Sequence, residues 1–126
     1  MKRLSILLVL LSIISIFSCK KIESPEAAKM VLSNVAVTYH TTSSSNYKDA
    51  VITADYTYPG PLGDIKMMVS YSSDINKAYA YSVNVNGESL SATINSVQIG
   101  DTYYFWVRYY DGIGYNYTDG WKFTVE

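Results

Sequence analysis

From position 31 onward apolar residues recur at every second place, the spacing that sets one side of an extended chain against a core and the other in water. Val31, Ser33, Val35, Val37 and Tyr39 alternate with Leu32, Asn34, Ala36 and Thr38 and predict a first strand. After a polar loop over residues 41–46, Ala50, Ile52, Ala54, Tyr56 and Tyr58 mark the inner side of a second strand. Asp55 lies among them facing water, and Pro59-Gly60-Pro61 ends the strand. Ile65, Met67, Val69 and Tyr71 mark a third, and residues 78–85 form a fourth, with Asn86-Gly87 as a hairpin signal. Leu90, Ala92 and Ile94 point inward from a fifth.

The densest alternation follows in VQIGDTYYFWVRYYD, residues 97–111, which reads as a turn feeding a long sixth strand. Tyr103, Phe105, Val107 and Tyr109 share one face; Tyr104, Trp106, Arg108 and Tyr110 share the other. Beyond Asp111-Gly112-Ile113-Gly114 and Asp119-Gly120, Trp121, Phe123 and Val125 line a seventh strand. Seven short strands with turn chemistry between them and no convincing helix predict an all-β, seven-stranded antiparallel β-sandwich over residues 30–126. A closed barrel is the alternative. A chain of this size can bury a sufficient core without disulfides.

The first 29 residues obey a different pattern. Met1-Lys2-Arg3 is a basic start and residues 4–17 are an unbroken run of apolar residues and Ser, with small Ser18 before Cys19. That order predicts a lipoprotein signal peptide over residues 1–18. The run is shorter than the ~20 apolar residues that span a bilayer. Ile16-Phe17-Ser18-Cys19 resembles a bacterial lipobox, with Phe17 departing from the usual second position. Cys19 is the single cysteine, so no intrachain disulfide can form, and a lone Cys in this place is what lipid attachment requires. An ordinary secretory peptide cut nearby is the alternative. Several acyl chains on Cys19 would hold the mature protein on a membrane without spanning it. Residues 19–29 then form the lipidated Cys and a polar, Pro-interrupted tether, with a short helical turn open to residues 26–29. The basic and acidic residues after Cys19 loosely resemble export signals of surface-displayed lipoproteins of Bacteroides-like bacteria. The expected location is therefore the bacterial outer membrane, on a face the signal leaves open.

The sixth strand and its turn carry a second resemblance. Val97-Gln98-Ile99-Gly100-Asp101-Thr102-Tyr103 is similar to the tyrosine-corner approach of fibronectin type III domains, with Ile99 in place of Pro and Asp101 in place of Thr. Tyr56, three residues before Pro59, takes the slot where that family often has a core Trp. Residues 68–72 and 121–125 look like its third and last strands. The resemblance, covering residues 31–126, implies an immunoglobulin-like sandwich in which Tyr103 turns its ring inward and bonds its hydroxyl to upstream backbone. It implies a spacer or binding scaffold and no chemistry of its own.

Charge and reactive residues narrow the functions further. Removing Lys2 and Arg3 leaves eight basic and eleven acidic side chains, a net charge of −3, with no basic stripe for nucleic acid. His40, the only histidine, has no recognisable nucleophile beside it and reads as an ordinary strand-end imidazole. One His and one lipid-bound Cys do not furnish a usual zinc site. Asp55, Asp101, Asp111 and Asp119 are scattered acids explained by turns rather than a paired-carboxylate site. Asp111, Asn116 and Asp119 concentrate oxygens around one loop but lack EF-hand spacing, so turn chemistry is preferred to calcium. No enzyme, metal or cofactor is expected.

The positive signal is aromatic, for all thirteen Tyr lie in the mature domain beside Trp106 and Trp121. Tyr56, Tyr71, Tyr103 and Tyr109 are expected in the core. Tyr104, Trp106, Arg108 and Tyr110, with Tyr115 and Tyr117 in the following loop, are expected to present a recognition surface. An envelope protein is the expected partner. Glycan binding by the same face in polysaccharide uptake, or a passive spacer with these rings covered by neighbours, are the competing readings.

Overall fold

The computed structural model describes residues 20–22, 30–60 and 62–126. The expected signal peptide, Cys19, the expected helical turn and Pro61 lie outside the described residues. Two antiparallel sheets face each other. One has the order β1 (Lys20–Ile22), β10 (Gly120–Thr124), β8 (Thr102–Tyr110), β4 (Ile65–Ser70) and β5 (Tyr79–Ser82), with β9 (Tyr115–Tyr117) also pairing β8. The other has the order β2 (Val31–Thr41), β3 (Tyr47–Thr57), β7 (Ser89–Gln98) and β6 (Asn84–Asn86). A single 3-10 turn, Ile75–Lys77, is capped by the Asp74 carboxylate accepting from the Asn76 amide. The chain is an all-β sandwich.

The inward sets meet as their period requires. Ala50, Ile52 and Ala54 of β3 and Leu90, Ala92 and Ile94 of β7 face Met67 and Val69 of β4 and Tyr103, Phe105, Val107 and Tyr109 of β8; all are buried. Trp121, Phe123 and Val125 close one end. Tyr103 stacks on Phe123 with centroids 5.6 Å apart, and Tyr58 meets Tyr109 edge-on at 5.2 Å. The Tyr103 hydroxyl lies beside the Gln98 backbone and the Tyr71 hydroxyl, both of which act on its proton.

Three departures from strict alternation have local causes. In β2 the inward residues are Leu32 and then Val35 and Val37, while Val31 is exposed. A bulge between Ser33 and Ala36 switches the parity there, with Asn34 at φ 50°. In β7, Ser96 at φ 57° performs the same switch between Ile94 and Val97. Both bulges are held by acids of the central strand β3. Asp55 accepts from the Asn34 amide at 2.8 Å and the Ser89 hydroxyl at 2.7 Å, and Asp49 accepts from the Ser96 N–H at 3.0 Å.

The third departure is the expected fourth strand, which is two strands. Residues 79–82 pair with β4, the chain crosses at Val83, and residues 84–86 pair with β7 in the opposite sheet. The tight loop between Asn86 and Ser89 is Gly87-Glu88, with Gly87 at φ 62°. Lys20–Ile22, expected to be free tether, is an edge strand on β10 in the register Lys20↔Lys122 to Ile22↔Gly120.

Candidate functional site

The six side chains expected to form the recognition surface divide into two groups. Strand parity sets Tyr104, Trp106, Arg108 and Tyr110 on the face of β8 away from the core, yet Trp106 is only 8% exposed. Its register neighbours are Met68 on β4, also buried, and Gly120 on β10. The indole lies directly on Gly120, so close that a Cβ there would collide with Nε1. The expectation that Trp106 offers its ring to a partner is therefore corrected: a glycine in the adjacent strand leaves a slot and the ring fills it. Tyr104, half-buried between Ser70 and Lys122 in register, stands apart from the remaining four.

Those four gather where β8 turns into β9. The register Arg108↔Tyr117 and Tyr110↔Tyr115 brings them side by side. The Arg108 guanidinium sits over the Tyr115 ring at 4.6 Å and lies 3.6 Å from the Asp64 carboxylate. Tyr115 donates its hydroxyl to that same carboxylate at 3.4 Å, and its ring centroid is 5.3 Å from that of Tyr110. Tyr110 is tied to the segment before β4 by two backbone bonds, Gly63 N–H to Tyr110 C=O at 3.1 Å and Tyr110 N–H to Asp64 C=O at 3.0 Å.

The hairpin tip is equally determined. Asp111 accepts from the amides of Ile113 and Gly114 at 2.8 and 2.9 Å and from the Asn116 side chain at 2.7 Å, with Gly112 at φ 96°. Its carboxylate oxygens thus serve the turn, the role preferred from sequence over calcium ligation. Where β9 gives way to β10, the buried Thr118 hydroxyl accepts the Val107 N–H at 3.0 Å and replaces a missing rung of the ladder. At the apex Ile113 is 92% exposed, and along β9 behind it the rings of Tyr115 and Tyr117 are exposed as well. The result is a rigid hairpin presenting one aliphatic tip, two phenols and a stacked cation.

Sequence reasoning missed Asp64, whose only signal was an acid beside the Pro-Gly turn, and missed Ile113 as an apolar residue at a turn apex. It also placed Tyr71 in the core, whereas Tyr71 is 68% exposed at the end of β4. Val69 is the last core-facing residue of β4, so the next inward-parity residue falls past the end of the strand. Tyr79 on β5 overhangs in the same way.

Fold and hairpin together define a small antiparallel β-sandwich with a braced aromatic loop at one end. Comparison with family models, curated proteins and solved structures finds no match in any of the three.

Proposed function

We propose that this chain is a lipid-anchored, fibronectin type III-like interaction module of the bacterial outer membrane that recognises another envelope protein through the β8–β9 hairpin. The observation that carries the reading is Ile113, an almost wholly exposed aliphatic residue on a turn fixed by three hydrogen bonds to Asp111. An apolar tip flanked by tyrosines and an arginine, already ordered, is the composition and rigidity that interface hot spots use. The contact set becomes Arg108, Tyr110, Ile113, Tyr115 and Tyr117, without the covered Trp106 and the separate Tyr104.

The type III assignment is supported by the strand order β2-β3-β7-β6 against β10-β8-β4-β5 and by the inward, buried Tyr103 ring beside the Gln98 backbone. Strand β1 supports the orientation. Lys20, next after Cys19, pairs with Lys122 near the Thr102–Thr124 end of the sheet, whereas the hairpin leaves β8 at Tyr110. Lys20 is level with Tyr104, and the six steps of β8 from there to Tyr110 set the two points ~20 Å apart. An acyl anchor at Cys19 would leave the hairpin facing away from the lipid.

Capture from envelope extracts by the purified chain tests the reading. Ile113→Ser should cut capture of the retained protein about tenfold while changing stability by less than about 0.5 kcal/mol, and Tyr115→Ala should cut it at least as far with a stability loss of about 1 kcal/mol from its contacts with Asp64 and Arg108. Retention unchanged in both variants would discard the hairpin as the contact. Fatty-acid analogue labelling tests the anchor separately, with incorporation expected to vanish in Cys19→Ala.

A further inference from the structure

The end of the sandwich that carries the hairpin also carries a hollow, beside the turn between β6 and β7. It encloses about 440 Å³ and is lined by Tyr56, Thr57, Tyr58, Gly60, Leu62 and Glu88. Its floor follows from the period of β3. Tyr56 and Tyr58 continue the inward set of Ala50, Ile52 and Ala54, and with Leu62 they are only half-buried against the core. Tyr56 donates its hydroxyl to the Gly87 carbonyl at 2.9 Å and its N–H to the Glu88 carbonyl at 2.8 Å, which pins the turn to β3. Tyr58 rests edge-on against Tyr109, and Gly60 leaves bare backbone beside it, where a Cβ would stand 3.5 Å from the ring. The hollow borders the hairpin, for Tyr109 precedes Tyr110 in β8 and Gly63, next after Leu62, bonds to the Tyr110 carbonyl.

Charge decides what this hollow takes. Glu88 is exposed, and among the described residues no basic side chain lines the hollow with it. The Tyr58 phenol is held above its ordinary pKa of 10.0, first by burial and next by the negative charge of Asp111, so a second acid acts on the same space. An anion would be repelled by both carboxylates, and a wholly apolar group would desolvate Glu88 unpaired. A basic side chain meets neither cost. Its aliphatic stem can lie along Leu62 and the phenol rings while its head reaches the carboxylate, and the ring faces attract a cation as well. The volume is within the range of ligand pockets, about 300–1,000 Å³.

We infer that the partner met at this end of the molecule places an arginine or lysine side chain in the Tyr56–Tyr58–Glu88 hollow. The inference rests on the reading of the hairpin as a contact surface and adds the partner's chemistry, a basic residue beside the segment that covers Ile113.

Amide chemical-shift titration of the isotope-labelled, purified chain with blocked pentapeptides carrying Arg, Lys, Gln or Glu between glycines tests it. The Arg and Lys peptides should shift the amides of Gly60, Leu62 and Glu88; the Gln and Glu peptides should not. Glu88→Gln should weaken Arg-peptide binding about fivefold. Gly60→Leu, which fills the hollow, should abolish it. Both positions are exposed, so the urea midpoints should stay in place and any loss is one of binding. Silence from both basic peptides overturns the inference, as do equal shifts from the Gln peptide or an Arg titration that Glu88→Gln leaves unchanged. In capture from envelope extracts, Glu88→Lys should cut retention about tenfold, as Ile113→Ser does. Loss in Ile113→Ser alone overturns the basic-residue inference and leaves the hairpin reading standing. Loss in Glu88→Lys alone supports the hollow and discards the hairpin.

Discussion

Trp106 and Gly120 act as one unit, because the indole occupies the space that any other residue at 120 would fill with its own side chain. Trp106→Ala should therefore cost about 3–5 kcal/mol in urea unfolding, the range for emptying a buried aromatic site. Gly120→Ala should cost about 1–3 kcal/mol by overpacking. Both changes are expected in the unfolding midpoint; loss of partner capture at unchanged stability would contradict the buried placement. The pair was half legible in the chain. Alternation identified the face of β8 on which Trp106 sits, but Asp119-Gly120 read as a turn because only the neighbouring strand shows why residue 120 lacks a side chain.

Tyr103 carries a second prediction at this scale. Burial, with the Tyr71 hydroxyl next in weight, pushes its phenol pKa above the ordinary value of 10.0. The folded chain therefore keeps this proton at pH values where the unfolded chain has lost it, so the stabilisation is complete below about pH 10 and declines as pH rises further. Tyr103→Phe should lower stability by about 1 kcal/mol at neutral pH and show a flatter decline in alkali than the parent. Equal alkaline slopes would assign the decline to other groups.

At the scale of elements, β3 governs the parity of both its neighbours. Asp55 and Asp49 sit on its outer face and each satisfies a bulge, one at Asn34 in β2 and one at Ser96 in β7. Without those bulges the apolar residues on either side would fall on opposite faces, since a one-residue slip inverts every side chain beyond it. The Asn34 and Ser89 hydrogen bonds hold the Asp55 carboxyl below its ordinary 3.8. A depressed carboxylate stabilises the fold above its unfolded pKa, and the contribution is lost as pH falls through the folded value. Asp55→Asn should accordingly be less stable than the parent at pH 7, with the difference shrinking toward zero as the medium is acidified past that point. A gap that stays constant from pH 7 to pH 2 would show that the charge is irrelevant to the bulge.

Most strands were legible because a half-buried strand repeats every two residues, and the core-facing residues of β3, β4, β8 and β10 fall at every second position. The start of β2 was read with its faces exchanged. Asn34 and Ser96 are ordinary polar residues in sequence, and their left-handed backbone depends on an acid supplied by another strand. The division of residues 78–85 was hidden for a similar reason. A chain that changes sheets at Val83 keeps its local extended character and alters only its partner.

Over the whole molecule, the two sheets differ in extent, and that mismatch creates the exposed chemistry. Where they overlap, alternating apolar residues are covered; where β5 extends past β7, inward-pointing tyrosines meet solvent. The β8–β9 hairpin projects past the opposite end, and its tip is exposed while its base is braced through Asp64. An all-β sandwich, the inward set of β8 and the turn role of Asp111 were determined by sequence alone, because they rest on periodicity and on contacts within a few residues. The covering of Trp106, the assembly of Arg108 with Asp64 and Tyr115, and the exposure of Tyr71 and Tyr79 were decided only in three dimensions. Each depends on which strand lies alongside and where it stops, and strand order and length of overlap leave no mark on the local pattern of any one strand.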